Sequence, residues 1–339
     1  MKILVTGGCG YIGSHTIVDL VQHGFDVVSI DACFNSLEST ISRVAAVVGK
    51  PVKNYLVDLC HYEAVKQIFE AEQFDGIIHF AAFKSVPESV EQPLKYYHNN
   101  LVSLTNLLRL TEEFNVKHFV FSSSCSVYGN TTQLPVTEAT PFEKAESPYA
   151  HTKQMGEEII EQVAKAGRSK FVLLRYFNPV GAHESAQIGE LPTVVVTAVV
   201  PRITGFAAGK FSSFSVFGSD YPTRDGTCVR DYIHVMDIAN AHTKAIQYLV
   251  AGKQQQQCDV FNLGTGNGVT VLEAIQSFEK VSGLQLNYTK APRREGDVVS
   301  IYANNNKAKQ LLGWEPARNL DDMMLTAWRW EQRSKELQL

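Results

Sequence analysis

Two side chains four residues apart, Tyr149 and Lys153 in the run Ser147-Pro-Tyr-Ala-His-Thr-Lys153, have the types and spacing for acid–base chemistry. Pro148 fixes φ and needs no donor in a first helical turn, and Ser147 can cap the free N–H groups there, so the pattern predicts a helix from 149 to about 165. Residues i and i+4 share a helix face, which brings the phenol and the ammonium together. A free tyrosine titrates near ~10, so base work at neutral pH requires a fall of roughly 3 units, about 4 kcal/mol of charge stabilisation. A lysine on the same face is one source of that stabilisation, and a positively charged nicotinamide ring would be a second. Taken alone, Tyr-x-x-x-Lys fits any amphipathic helix with an exposed lysine, so the rest of the chain must decide.

The elements that would position the pair begin at Lys2-Ile-Leu-Val-Thr6, a short apolar strand followed by Gly7-Gly-Cys-Gly-Tyr-Ile-Gly13 and a helical pattern through Ile17, Leu20 and Val21. Strand, glycine loop and helix in that order allow a tight turn and close approach of a pyrophosphate, with the helix N-terminus facing the phosphates. A second strand, Val27 to Ile30, ends in Asp31, a carboxylate roughly 20 residues beyond the loop, where a ribose 2′-hydroxyl would be gripped. An acid there would repel a 2′-phosphate, which points to NAD and not NADP. The alternation continues with expected strands at 55–59, 76–82, 117–121 and 171–177, and helices at 62–72 and about 93–114. Strands apolar on both faces belong in parallel sheets, with ligands beyond their carboxyl ends. Ser124, in Ser122-Ser-Ser-Cys-Ser-Val-Tyr-Gly129, then points at the same crevice as the glycine loop. By itself it is a capping serine; beside Tyr149 and Lys153 it is a candidate donor to a substrate hydroxyl. The fold class expected is α/β: a Rossmann-type doubly wound parallel sheet over 1–178, with a smaller C-terminal α/β substrate lobe over 179–339 and the chain free to cross back. In that lobe a strand is expected at 231–235 and helices near 236–250, 270–281 and 320–335, while Arg230 and the Arg293-Arg294 pair are possible diphosphate forks.

Composition narrows the function. With 45% hydrophobic and 19% charged residues, the 339-residue chain is an ordinary globular protein; a net charge of −4 leaves no basic footprint for nucleic acid or an acidic membrane. No apolar run approaches the ~18 residues of a membrane span, and Met1 opens directly into a strand, leaving no room for a signal peptide. The six cysteines are scattered, without metal spacing, and read as reduced thiols. A cytoplasmic protein without a metal is the expectation.

Assembled, these residues resemble the extended short-chain dehydrogenase/reductase superfamily and, more closely, the UDP-galactose 4-epimerases. The carriers are Thr6 to His15, Phe80-Ala-Ala-Phe-Lys84, Tyr97-His-Asn-Asn100, Phe121 to Gly129, Ser147 to Lys153, Leu174 to His183, Val229 to Asp237 and Ala291 to Asp297, and together they span nearly the whole chain. The resemblance implies tightly held NAD, with Tyr149 as base, Lys153 lowering its pKa and holding the nicotinamide ribose, and Ser124 bridging to the sugar. It also implies Gly7, Gly10, Tyr11, Ile12, Gly13, Asp31, Asn35, Ser36, Asp58, Leu59, Phe80, Lys84, Asn99 and Phe177 around the cofactor. Asn178, Phe217, Arg230, Arg294, Asp297 and Ile301 would surround a UDP-hexose. The implied reaction oxidises the sugar at C4, turns the 4-keto intermediate over and reduces it on the other face, with no net redox. A homodimer through the helices around 93–114 and 149–165 is implied as well.

Two positions depart from the family pattern. Thr197-Ala198 stands where two adjacent asparagines are usual, and Ile301 where some relatives carry a bulky aromatic beside the sugar pocket. The preference between plain and N-acetylated hexoses stays open at this point. Sugar-nucleotide dehydratases are the nearest rivals, but they place Thr-Asp-Glu before Val-Tyr-Gly, and Ser124-Cys125-Ser126 offers no carboxylate for elimination. The decarboxylases' glutamate at the Ser126 position is also absent. A non-catalytic NAD sensor on the same fold would have no need to keep Tyr149, Lys153 and Ser124 together.

Overall fold

In the computed structural model, which describes residues 1–191, 196–294 and 297–339, the alternating apolar strands form one seven-stranded parallel sheet. The first half of the chain runs β1 (Lys2–Thr6), α1 (Tyr11–Gln22), β2 (Asp26–Ile30), α2 (Ser39–Val48), β3 (Lys53–Tyr55), α3 (Tyr62–Glu72), β4 (Gly76–His79), α4 (Val86–Glu91), α5 (Pro93–Glu113), β5 (His118–Ser124), α6 (Pro148–Ala166) and β6 (Lys170–Tyr176). The second half runs β7 (Asn178–Val180), α7 (Val199–Ala207), β8 (Ser215–Phe217), β9 (Val229–Arg230), β10 (Tyr232–His234), α8 (Val235–Val250), β11 (Cys258–Leu263), β12 (Val269–Thr270), α9 (Val271–Ser282), β13 (Thr289–Ala291), β14 (Ser300–Ile301) and α10 (Leu320–Glu336). The sheet order is β3-β2-β1-β4-β5-β6-β11, so chain direction across the sheet reverses between β1 and β4. A crevice opens there, at the carboxyl ends of the strands, where open α/β sheets bind ligands.

Each sheet face buries its own cluster. Ile3, Val5, Ile78, Val120, Val172 and Leu174 pack under α1 and α8, while Leu4, Val28, Ile77, Phe119 and Leu173 pack under α3, α5 and α6. Elements from beyond the approximate 178/179 boundary also pack on this sheet. Helix α8 lies beside α1 on the sheet, and β11 pairs in parallel with β6 from Cys258↔Phe171 to Leu263↔Tyr176. Without them the β5–β6 end of one face and the β6 edge would stand open, and apolar face and edge alike must be covered. The smaller lobe is built from three short sheets, β7 with β10, β12-β9-β14, and β8 with β13, packed with α7, α9 and α10 around Val200, Ile203, Phe278 and Met324.

One strand is shorter than its sequence pattern. β3 stops at Tyr55 because its only partner, β2, ends at Ile30, so Asp58 and Leu59 lie on the loop beyond it. Conversely, β5 runs on to Ser124, paired with β6 through Ser124↔Tyr176.

Five histidines are buried among the described residues, and burial pushes their pKa values down, to about 3 for His15, His79 and His234, to about 4 for His242, and below the usual imidazole range for His183. Each is neutral when folded but free to protonate below ~6.5 when unfolded, so its contribution is full above that pH and is lost as pH falls, by up to about 1.4 kcal/mol per unit. Buried Asp31 and Asp231, whose carboxyls burial raises, act in the opposite sense at lower pH. The midpoint of thermal unfolding should therefore drop between about pH 6.5 and 5, above the range where ordinary carboxylates titrate. His242→Leu should flatten that drop, because His242 uses only Nδ1, donating to the Ile238 carbonyl at 2.8 Å, while Nε2 has no partner. An unchanged slope in scanning calorimetry would refute the assignment.

Candidate active site

The acid–base pair is set by the start of α6. Ser147 accepts a hydrogen bond from the Ala150 N–H at 3.2 Å, and Pro148 occupies the first turn, as its ring geometry favours. The ammonium of Lys153, only 5% exposed, donates to the Ser122 carbonyl at 2.7 Å. It lies 4.9 Å from the Phe121 ring centroid and 6.0 Å from that of Tyr149. Burial pushes the Tyr149 phenol up to about 12; hydrogen bonding with Ser124 opposes this, and the nearby Cys125 thiol adds to it. Burial also lowers Lys153 to about 8, with Glu157 opposing. The expected fall of the Tyr149 pKa is thus reversed in the protein alone, because the ammonium is aimed at a carbonyl while burial acts on the phenol in full. Beneath the pair, the Ser122 hydroxyl is hydrogen-bonded to the buried Tyr176 phenol.

The crevice beside this pair fits a dinucleotide. A Cβ on Gly13 would lie 2.2 Å from the Gly7 carbonyl oxygen, so glycine alone allows the loop to close against the start of α1. Gly10 precedes α1 with no side-chain cap, and no acid lies in its first turn, which leaves backbone N–H groups for an anion. Tyr11 donates to the Gly181 carbonyl at 2.5 Å and ties α1 to the second lobe, while Ile12 packs against the sheet core. Asp31 accepts from the Cys9 and Cys33 N–H groups at 2.9 and 2.8 Å and from Ser36 at 3.2 Å, bracing the glycine loop; Asn35 lies on the same turn. Asp58 accepts from the Cys60 N–H at 2.8 Å, Leu59 is buried, and Phe80 packs on His242 with ring centroids 4.5 Å apart. The exposed Lys84 turns instead to Glu190, 3.1 Å away.

Asn99 and Asn100 divide their work in a way the sequence did not indicate. Asn99 donates to the Asn100 side chain at 2.9 Å. Buried Asn100 accepts from the Phe83 N–H at 2.8 Å and donates to the Phe83 carbonyl and Thr152 hydroxyl, each at 3.1 Å. It clamps the loop after β4 to the helix that carries Tyr149 and Lys153. Asp231 was missed too. Its buried carboxylate accepts from the Thr265 N–H and hydroxyl at 2.8 and 2.6 Å and from the Gly266 and Ala303 N–H groups at 3.2 and 3.1 Å. A polar residue inside a helical pattern for Asn100, and an acid inside a strand motif for Asp231, were the signals the sequence gave.

The second lobe brings a basic cluster to the same crevice. Arg230 donates to the Val229 and Val298 carbonyls at 3.0 and 2.6 Å, with Nη2 3.6 Å from Asp297. Arg294 donates to Asp297 at 2.9 and 3.2 Å, and its guanidinium lies 5.8 Å from the Phe217 ring centroid. Arg293 departs from the expected pair: it binds Asp220 at 2.8 Å and stacks over Tyr221. Glu295 and Gly296 of this motif lie outside the described residues. Asn178 stands on β7, and burial raises the Cys125 thiol next to Ser124 to about 12, with Arg230 opposing. Ile301, 6% exposed, pairs across β14–β9 with Arg230 and packs with Phe177, Val127 and Tyr128. The Thr197 carbonyl accepts from Arg294 at 3.5 Å, and Ala198 gives α7 no side-chain cap. Among the described residues no group of three or more His, Cys, Asp or Glu side chains could hold a metal.

Comparison with known proteins fits this geometry. The family described as GDP-mannose 4,6 dehydratase matches residues 4–326. The UDP-glucose 4-epimerase of Bacillus subtilis is 46% identical over 332 residues, covering 98% of this chain and 97% of its own. The chain belongs to the UDP-glucose 4-epimerase family of extended short-chain dehydrogenases/reductases. Among solved structures of the family, the Stenotrophomonas maltophila epimerase with bound NAD and formylated UDP-arabinopyranose superposes with a TM-score of 0.96 at 40% identity, covering 99% of both chains. The Bifidobacterium longum epimerase in complex with NAD+ and UDP gives 0.94 at 41% identity, with 99% of both chains covered. The dehydratase description covers a wider group. At the position where dehydratases carry their extra acid, this epimerase-family chain has Ser124-Cys125-Ser126, and Asp231, the carboxylate that acts on Cys125 among the described residues, is committed to its backbone and Thr265 donors.

The Asn100 clamp makes a prediction. Asn100→Leu strands a buried N–H, a carbonyl and a hydroxyl, each costing about 1–3 kcal/mol. Urea unfolding should show a loss of at least about 2 kcal/mol, whereas Asn99→Leu, on a half-exposed position, should cost less. Equal losses would show that Asn100 is not the clamp.

Proposed function

We propose that the protein interconverts UDP-glucose and UDP-galactose at C4, using NAD that it retains, with Tyr149, Lys153 and Ser124 as the catalytic side chains. The observation that carries this reading is the convergence of a phenol, a buried ammonium and a serine hydroxyl on a dinucleotide-type crevice faced by Arg230 and Arg294. Bound NAD would accept hydrogen from sugar C4 and return it to the opposite face, and its cationic ring would supply the positive charge that the phenol needs.

The chain's own part is to bind, orient and move one proton. Ser124 holds the C4 hydroxyl against Tyr149, which takes its proton when the sugar is oxidised and gives it back on reduction. Lys153, anchored on the Ser122 carbonyl, keeps a positive charge beside the phenol. Arg230 and Arg294 grip the diphosphate, Phe217 and Asn178 flank the nucleotide, and the sugar is left free to turn over. The cofactor side is held by Gly7, Gly10, Tyr11, Ile12, Gly13, Asp31, Asn35, Ser36, Asp58, Leu59, Phe80, Lys84, Asn99 and Phe177. Lys84 would have to leave Glu190 to reach it. Among the described residues no helix is long and apolar enough to cross a membrane, and six free thiols suit a reducing compartment such as the cytoplasm. A homodimer through α5 and α6, which pack side by side, is part of the reading; light scattering at micromolar concentration decides it.

Ile301 sets the expected substrate range. Branched, stiff and wedged against Phe177, it leaves more room than a tyrosine ring beside the sugar's C2 substituent. UDP-glucose and UDP-galactose should be preferred, with slow conversion of their N-acetyl forms. Discrimination by pocket volume is of order 10- to 200-fold, so Ile301→Tyr should suppress the N-acetyl reaction selectively by about that factor. An unchanged ratio of the two activities would remove Ile301 from the pocket.

Incubation with UDP-galactose should yield UDP-glucose without added NAD; a 4-keto-6-deoxy product would decide for a dehydratase. Tyr149→Phe should keep bound NAD and the fold while turnover falls by about 10²–10⁴, the usual share of a general base. Near-normal turnover would assign the proton transfer to another residue.

A further inference from the structure

The Lys153 ammonium is buried without a direct counter-ion: among the described residues no carboxylate lies within ion-pair distance of it, and its one hydrogen bond goes to the Ser122 carbonyl. A buried ammonium tends to lose its proton. One turn further along the same face of α6 stands Glu157, 1% exposed. Its carboxylate accepts from the Ser123 hydroxyl, from Arg175 Nε at 2.9 and 3.1 Å, and from Arg175 Nη2 at 2.6 Å. Arg175 approaches from β6, where Nη1 donates to the Tyr128 hydroxyl at 3.0 Å and the Glu138 carbonyl at 3.3 Å and Phe142 lies 4.9 Å from the guanidinium. The contact is a buried bidentate ion pair that fixes the Glu157 carboxylate in place.

We infer that Glu157, fixed by Arg175 and Ser123, is a positioning residue for Lys153 that keeps the buried ammonium charged beside Tyr149. This rests on the acid–base reading of Tyr149 and Lys153. Residues i and i+4 on a helix lie about 5–6 Å apart at Cβ, whereas Tyr149 is two turns from Glu157, roughly 12 Å along the axis. The carboxylate therefore favours the ammonium more than it disfavours the phenolate. The other groups around Lys153 cannot replace it: His79 on β4 is held neutral by burial, and β5 presents only the Ser122 carbonyl and the Phe121 ring. Around Glu157 itself stand Arg175, Ser123 and the Cys258 thiol of β11, which burial keeps protonated. Burial and Glu157 act on Lys153 in opposite directions, in agreement with this geometry.

The test titrates Tyr149 directly. Near-ultraviolet tyrosinate absorbance is followed against pH in the purified protein, with Tyr149→Phe in each background subtracted, alongside the pH profile of turnover. In Glu157→Gln the Tyr149 ionisation should move up by about one pH unit, and turnover should fall roughly tenfold near pH 7 and recover toward about pH 9. Should the unpaired Arg175 unfold that variant, Glu157→Gln/Arg175→Gln removes both charges and should show the same shift. Glu157→Asp keeps the charge and should hold the ionisation in place, even where the shorter side chain costs turnover. A loss of turnover uniform across pH, with Tyr149 ionising as in the parent protein, would overturn the inference and leave Glu157 a structural brace. Full turnover in Tyr149→Phe is a different failure, that of the acid–base reading, and is distinguishable from the tyrosinate shift that decides Glu157.

Discussion

A positive charge held out of water is the constraint on which this molecule depends. In the proposed mechanism Lys153 works only as an ammonium, yet a close carboxylate would cancel its field at the phenol. The fold satisfies both demands by giving the proton-bearing nitrogen a neutral carbonyl and setting charged groups at a distance. This makes the end of β5 the most demanding stretch of the chain. Ser122 offers its carbonyl to Lys153 and its hydroxyl to Tyr176, Ser123 meets Glu157, and Ser124 faces the phenol. Three consecutive serines thus serve four different neighbours, through a backbone carbonyl and through side chains that alternate along the strand.

The two lobes meet this constraint with opposite textures. The sheet side is rigid, with Asn100 joining the β4 loop to α6 and Asp31 drawing the glycine loop onto the end of β2. The substrate side consists of two- and three-residue strands whose arginines bind largely to neighbouring carbonyls and to Asp297. A firm hold on the nucleotide with few contacts to the sugar suits a reaction in which the sugar must present both faces.

How much of this was legible in the sequence depended on how local each signal was. The start of α6 needed only Ser147, Pro148 and the i, i+4 spacing, and the glycine loop only its place between strand and helix. The end of β3 was misjudged because a strand stops where its partner stops, and Tyr55 to Leu59 carry no mark of where β2 ends. A crossing back of the chain could be allowed for, but not which elements return, since an amphipathic helix and an apolar strand read alike in either lobe. Asn100 could not be ranked over Asn99 without knowing which side faces the core. The pairing of Glu157 with Arg175 joins a helix to a strand, and nothing in the sequence matches the two. At the candidate site, spacing named Tyr149 and Lys153 but gave no sign of how burial acts on the phenol, because burial is a property of the assembled protein.

The return of the chain to the sheet bears on how the molecule is made. During synthesis β6 emerges long before β11, and the smaller lobe's first elements come between them. Until residue 263 has left the ribosome, β6 is an open edge and the sheet face destined for α8 is bare. Such edges and faces recruit the wrong partners. The nucleotide-binding half is therefore not a unit that can be cut out and kept. Its completion waits on a segment delivered after the smaller lobe has begun, and a nascent chain stalled before that segment would carry the open edge and the bare face together.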